Sequence, residues 1–341
     1  MNTHGLLKCG GAVVALAIVS ACAGGSNVAP SAPSGATVDT GYRAGTLFLH
    51  GRPVTAERLN PLPPYSELVP EAAKSKTYEY IFNSYQSYAS IFDYPKSINM
   101  VGMINGAGGQ GCTNVLYGYG KNTFWNAGRT NDVMTEYQVP SKQIKTLPIH
   151  YDFTSSCAMN TSGDLAVGIL LSDSYGGAGQ EVIFKNASGK GIVIPTPLYK
   201  AFFAGYDTKG NLWADGENSS YEFQFVEIPK GAKKGVTITT SNSPSFPGSV
   251  QWDGKYMTVF DQGPNAAYQY AISGTKATLK NTVQLNGASD CAQTWIVPGL
   301  IYCADAGNNV GEVFKYPAGG SPVATFNGSF DEPLGTTAAE K

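Results

Sequence analysis

The stretch DTKGNLWADG, Asp207 to Gly216, sets the pattern for the whole chain. A turn centred on Gly210 separates two apolar runs, and the second run closes on Asp215. The same shape recurs as NTSGDLAVG (Asn160 to Gly168), WDGKYMTVFD (Trp252 to Asp261) and VPGLIYCAD (Val297 to Asp305). A looser copy, LYGYGKNTFWNAG, runs from Leu116 to Gly128. The anchor glycines Gly120, Gly163, Gly210, Gly254 and Gly299 are spaced by 43, 47, 44 and 45 residues. A steady period of strands and turns, about 40–50 residues long, is the sequence sign of a β-propeller.

Composition fits that reading. The chain has 341 residues, with 41 Gly, 20 Pro and 20 Tyr, which suits many short strands joined by tight turns. Charged residues make up 14%, against about 25% in an ordinary soluble domain. The formal net charge is −2, so nothing in the electrostatics points to nucleic acid as a partner.

The N-terminus reads as an address label. An apolar run from Ala12 to Val19 is the length of a signal-peptide core and too short to span a bilayer. It leads into Val19-Ser20-Ala21-Cys22, which resembles the bacterial lipobox. The resemblance implies cleavage after residue 21 and acylation of Cys22 with chains such as palmitate, so that the lipid anchors an exported protein to a cell membrane or outer membrane. Residues 22–40 are rich in Gly, Ser, Ala and Pro and read as a flexible tether. Residues 41–75, with Leu47-Phe48-Leu49 and the prolines at 61, 63 and 64, read as an arm lying on the domain, and His50 and Arg52 in it as surface residues.

Residues 76–341 form the repeating domain, expected as an all-β, six-bladed propeller. Its first repeat, KTYEYIFNSYQSYASIFDYP (Lys76 to Pro95), lacks an opening strand, and EPLGTTAAEK (Glu332 to Lys341) looks like one strand of a further repeat. The two facts combine if the C-terminal strand completes the first blade, which would leave no blade a strand short with unpaired backbone groups. Thr336–Ala339 is then expected beside Tyr78–Phe82. The other blades fall at roughly 109–153, 154–200, 201–247, 248–287 and 288–330. GNLWAD (Gly210 to Asp215), CADAGNNVGEVFKYP (Cys303 to Pro317) and EPLGTTAA (Glu332 to Ala339) resemble the NHL-type six-bladed propellers. The chain is also similar to uncharacterised bacterial propeller lipoproteins. These resemblances imply fold and export, and no established activity.

Four cysteines remain in the domain: Cys112, Cys157, Cys291 and Cys303. An even number in an exported chain favours disulfides, and four cysteines allow three pairings. Cys112 and Cys157 begin inner strands of neighbouring blades, while Cys291 and Cys303 flank one hairpin, so these two pairings are favoured. The second pair is not directly opposite if the turn centres on Gly299.

The second strands finish in polar residues: Asn83, Asn126, Asp215, Asp261 and Asp305, with Asp173 as a shifted candidate. At a channel mouth they could form a ring of oxygens for a polar ligand or a divalent cation such as calcium. The alternative is that each caps its own turn through a backbone N–H. The turn is required by the repeat, so capping is the expected role and no cofactor is needed. The domain's one histidine, His150, follows Leu147-Pro148-Ile149 and reads as structural. No nucleophile elbow, phosphate loop or Ser–His–Asp spacing stands out. GAGGQG (Gly106 to Gly111) reads as a loop between blades. Tyr78, Tyr80, Tyr85, Tyr88 and Tyr94 crowd one blade and read as half-buried strand residues rather than as a binding face. The functional expectation is an exported, lipid-anchored binding or scaffold module with a protein or glycan partner. A divalent-metal-dependent lactonase- or lyase-like propeller enzyme is the alternative.

Overall fold

The computed structural model describes residues 68–70, 72–83, 87–128, 133–149, 154–170, 179–330 and 332–341. The segments expected to be a signal peptide and a tether, Cys22 and most of the expected arm lie outside these residues, as do Tyr85, His150 and Asp173.

The described chain is all-β, with two single-turn 3-10 segments at Ala72–Lys74 and Lys185–Ala187 and no α-helix. The first strands are β1 (Thr77–Asn83), β2 (Tyr88–Phe92) and β3 (Gly102–Asn105). A meander of β4 (Gln110–Thr113), the two-residue β5 (Gly120–Lys121), β6 (Thr123–Ala127), β7 (Val133–Gln138) and β8 (Lys142–Pro148) follows. Next come β9 (Thr154–Met159), β10 (Leu165–Ile169), β11 (Gln180–Phe184) and β12 (Ile192–Pro195). The fourth run is β13 (Lys200–Tyr206), β14 (Leu212–Glu217), β15 (Phe223–Ile228) and β16 (Val236–Thr240). The fifth is β17 (Pro247–Trp252), β18 (Met257–Asp261), β19 (Ala266–Ser273) and β20 (Lys276–Gln284). The last is β21 (Cys291–Val297), β22 (Leu300–Asp305), β23 (Val310–Lys315) and β24 (Ala324–Thr325), before the C-terminal β25 (Pro333–Glu340).

These strands form a propeller-like arrangement. Within each meander consecutive strands pair antiparallel, except that β4 pairs directly with β6 while the short β5 pairs in parallel with β25. Gly210 shows why the anchor glycines recur: its φ of 82° lies where a side chain would be strained. The strands β25, β4, β9, β13, β17 and β21 pack side by side in a closed cycle, and the other strands lead outward from them. The expected closure is present. β25 pairs antiparallel with β1, placing Ala339 opposite Tyr78 and Thr336 opposite Ile81.

Hydrogen bonding gathers the strands into five sheets. The sequence period leads to six units. The difference arises at one edge, where β16 and β20 pair in parallel at Thr239↔Lys276 and Thr240↔Ala277 and join two meanders into one eight-stranded sheet.

The apolar core lies between the faces of neighbouring sheets. Trp125, Met134 and Leu147 of one sheet pack with Leu165, Val167 and Val182 of the next. At the seam between first and last sheets, Ile81, Phe92 and Ala338 meet Trp295, Tyr302, Val313 and Phe326. The rings of Phe92 and Phe326 stack there at 4.4 Å. Tyr78, Tyr80 and Tyr88 are fully buried. The hydroxyl of Tyr78 donates to the carbonyls of Ala72 and Ser75, fastening the last residues of the arm. One sequence reading is corrected: the end of GAGGQG is not a loop, because Gln110 and Gly111 belong to inner strand β4.

Candidate functional site

Two sets of polar side chains organise the inner strands. The first comprises the residues that close the second strands, all of them buried. Asp261 accepts from the Ser245 amide at 2.7 Å and the Phe246 amide at 3.0 Å, in the segment leading into β17. Asp305 accepts from the Ser289 amide at 2.8 Å and the Asp290 amide at 3.0 Å, before β21, and from the Asn308 amide at 3.0 Å. Asp215 accepts from the amides of Phe203 and Gly248, while burial pushes its carboxyl well above the ordinary range. Asn126 donates to the carbonyls of Gly108 and Gln110, both at 3.0 Å. Asn83 donates to the Ile81 carbonyl and the Ser90 hydroxyl, both at 3.2 Å. Each side chain is therefore engaged by nearby backbone, in the manner of a turn cap.

The third repeat differs. Aligning NTSGDLAVG with DTKGNLWADG puts Gly168 in the place of Asp215. The structure agrees, since Gly168 lies opposite Ser156 as Asp215 lies opposite Phe203, each just past a β-bulge. The shifted candidate Asp173 is thus not needed to fill the register. The space beside Gly168 is taken by Glu181 of β11, which the sequence reading missed. Its one faint signal is a carboxylate inside the apolar run Gln180-Glu181-Val182-Ile183-Phe184.

The second set crosses the axis. Gln293 of β21 donates to the Gly111 carbonyl at 2.8 Å, and its oxygen receives the Gly111 amide at 3.2 Å and the Thr336 amide at 3.1 Å. One side chain thereby ties β21 to β4 and β25. Gln251 of β17 does the same to β21, receiving the Ile296 amide at 2.7 Å and donating to its carbonyl at 3.1 Å. The hydroxyls of Ser249 and Thr294 meet at 2.5 Å. Glu79 receives the Thr336 hydroxyl, yet burial still pushes its carboxyl well up. These bonds leave an axial cavity of about 20 Å³, lined by residues such as Ser156, Phe203, Ser249 and Gln293. That is room on the scale of one water.

The disulfides are Cys112–Cys157 and Cys291–Cys303, with Cα–Cα distances of 5.7 and 5.5 Å. The first joins inner strands β4 and β9. The second is possible despite its offset because a bulge between Cys291 and Thr294 brings Cys291 opposite Asp305, next but one to Cys303. Cys291, Cys303 and Asp305 place their ligand atoms within 4.8 Å of one another, but both sulfurs are consumed by the disulfide.

A groove of about 760 Å³ lies at the seam of the first and last sheets. Asn99, Asn309, Asn327 and Ser329 give it polar groups, and Met100 and Phe330 give it apolar surface. Asn327 donates to the Asn99 side chain at 3.1 Å, and Asn309 to the Phe330 carbonyl at 3.0 Å. Among the described residues no charged side chain lines the groove.

No protein-family profile matches the chain, and no curated protein matches it. Solved structures do. A chain of the nidogen/laminin complex aligns with a TM-score of 0.57 at 10% identity, covering 77% of this chain and 98% of that one. A protein of unknown function from Bacteroides caccae aligns with a TM-score of 0.55 at 12% identity, covering 78% of this chain and 100% of its own. At such identities the likeness concerns the fold alone, which is propeller-like.

Proposed function

We propose that this is an exported, lipid-anchored propeller of six NHL-type blades that acts as a binding module. The cycle of inner strands supports the blade count, with the eight-stranded sheet read as two blades joined at their outer edges. The two disulfides support an oxidising compartment. Anchoring would follow from acylation of Cys22, and would be read by incorporation of a palmitate analogue that Cys22→Ala abolishes.

The seam groove carries the binding reading. Its volume of about 760 Å³ lies in the range of ligand sites, and its described lining combines three side-chain amides with apolar surface and carries no charged side chain. That chemistry favours an uncharged, hydrogen-bonding ligand, and a neutral envelope glycan fits it best. The test is a glycan-array screen of the full chain against Thr325→Trp, which fills the groove from its exposed edge, and Asn99→Ala. Retention of a neutral glycan that both variants weaken about tenfold supports the assignment. Retention untouched by either variant removes the groove from it.

A lactonase- or lyase-like enzyme would need a substrate-sized space on the axis. The axial cavity of about 20 Å³ and the amide-capped Asp261 and Asp305 favour the binding module instead.

A further inference from the structure

The exception at Gly168 has a chemical consequence. Register places Gly168 between Ser156 on one side and Glu181 on the other. The shift from Gly168↔Ser156 to Ile169↔Thr154 makes Ser155 the extra residue of a bulge, so consecutive serines turn toward the same place. A Cβ added to Gly168 would meet Ser156 Oγ at 2.6 Å, Ser155 Oγ at 2.8 Å and Glu181 Oε1 at 3.4 Å. Three oxygens therefore crowd the position that a Gly168 side chain would take, and only a glycine leaves them room to face one another.

Among the described residues those oxygens have no hydrogen-bond partner. Ser155 Oγ, Ser156 Oγ and both carboxylate oxygens of Glu181 are buried without a hydrogen bond. Ser155 and Ser156 are 1% exposed and Glu181 is 0% exposed. Asp215, on the neighbouring sheet, also leaves Oδ2 unpartnered, and its carboxyl feels the charge of Glu181. The ion pairs among the described residues are Lys121–Glu340, Lys185–Asp164 and Lys200–Glu217, so none of the described lysines pairs with Glu181. Buried carboxylates and hydroxyls left in this state are strongly disfavoured, and a bound cation would offset the carboxylate charge and engage the hydroxyl oxygens.

We propose that Glu181, Ser155 and Ser156, with Asp215 supplying further negative charge, form a buried site for a divalent cation of the calcium class. The donors are all oxygens, with no nitrogen or sulfur, which selects hard ions over zinc or copper. Neutral hydroxyl ligands and irregular geometry suit calcium better than magnesium, which demands a regular octahedron. The site is separate from the seam groove and from the capped Asp261 and Asp305. Its ion would pin β9 to β11 across the glycine of β10. Ser156 also lines the axial cavity, so the site borders the axis.

The test uses the full chain, stripped with EDTA and titrated with calcium chloride. The expected result is one calcium per chain by equilibrium dialysis, with a saturable rise in Tm on the order of 5 °C. Glu181→Gln keeps the shape and removes the charge, and it should abolish both readouts. Ser155→Ala with Ser156→Ala removes the hydroxyls and should weaken binding at least tenfold, which keeps the test available if Glu181→Gln folds poorly. Asp261→Ala with Asp305→Ala should leave the calcium response intact. A stripped wild type that neither retains calcium on dialysis nor shifts its Tm overturns the proposal. So does a calcium response unchanged in Glu181→Gln.

Discussion

Ala339, two residues from the C-terminal end, lies directly opposite Tyr78 in the first strand. The pair sits in a ladder that runs from Thr77↔Glu340 to Asn83↔Pro333, so β25 becomes an inner strand of the first sheet. Nearly all of that strand is buried.

Interrupting the ladder should therefore unravel the closure. Thr337 faces Tyr80 in the middle of it and is fully buried. Thr337→Pro removes an amide donor inside a two-sided strand and should cost about 3 kcal/mol or more. Chemical denaturation of the variant, followed by tyrosine and tryptophan fluorescence, should show an earlier and broader transition. A midpoint equal to wild type would mean that β25 does not support the fold.

The two disulfides should differ in weight. Cys112–Cys157 closes 45 residues and joins neighbouring inner strands, whereas Cys291–Cys303 closes 12 within one hairpin. Loop-closure entropy then gives the longer link about 4 kcal/mol and the shorter about 3 kcal/mol. Double alanine variants of each pair, compared in urea, should rank in that order.

Gln293 should matter more than an ordinary polar residue. Gln293→Ala would leave the amides of Gly111 and Thr336 and the Gly111 carbonyl without their partner near the axis. Each orphaned buried group costs about 1–3 kcal/mol, less whatever a water entering the enlarged axial space returns. A net loss of several kcal/mol in denaturant titrations is expected, and Gln293→Met, of similar size, should not restore it.

Acid should stabilise the metal-free protein rather than harm it. Burial pushes the Glu181 carboxyl up to about 8 from an ordinary value of 4.5. The folded state thus holds this proton more tightly than the unfolded state. The contribution is fully present below the ordinary value, falls as pH rises toward 8, and is flat above it. The slope for this group is at most about 1.4 kcal/mol per pH unit. Glu312, pushed up to about 7 by burial and then by Asp305, acts in the same direction. Melting temperatures in EDTA should fall between pH 5 and pH 8 for wild type, and less steeply for Glu181→Gln.

Much of the architecture was legible because a repeat announces itself. Gly163, Gly210, Gly254 and Gly299 recur where a hairpin demands positive φ, whereas the first anchor, Gly120, lies in the short strand β5, and the spacing is visible without coordinates. The missing first strand and the spare last strand are likewise a matter of counting. The alignment of Gly168 with Asp215 was also available in the letters. What it meant was not, because the consequence depends on which side chain from the next strand reaches into the space.

Sequence alone established the all-β class, the period, the closure by the C-terminal strand and the favoured cysteine pairs, since each follows from local turn chemistry and spacing. Only the tertiary structure decided which polar groups meet across the axis, that two meanders share an edge at Thr239 and Lys276, and that Glu181 stands over Gly168 beside two serines. Those contacts join residues far apart in the chain, and packing between sheets, which no local pattern encodes, determines who faces whom.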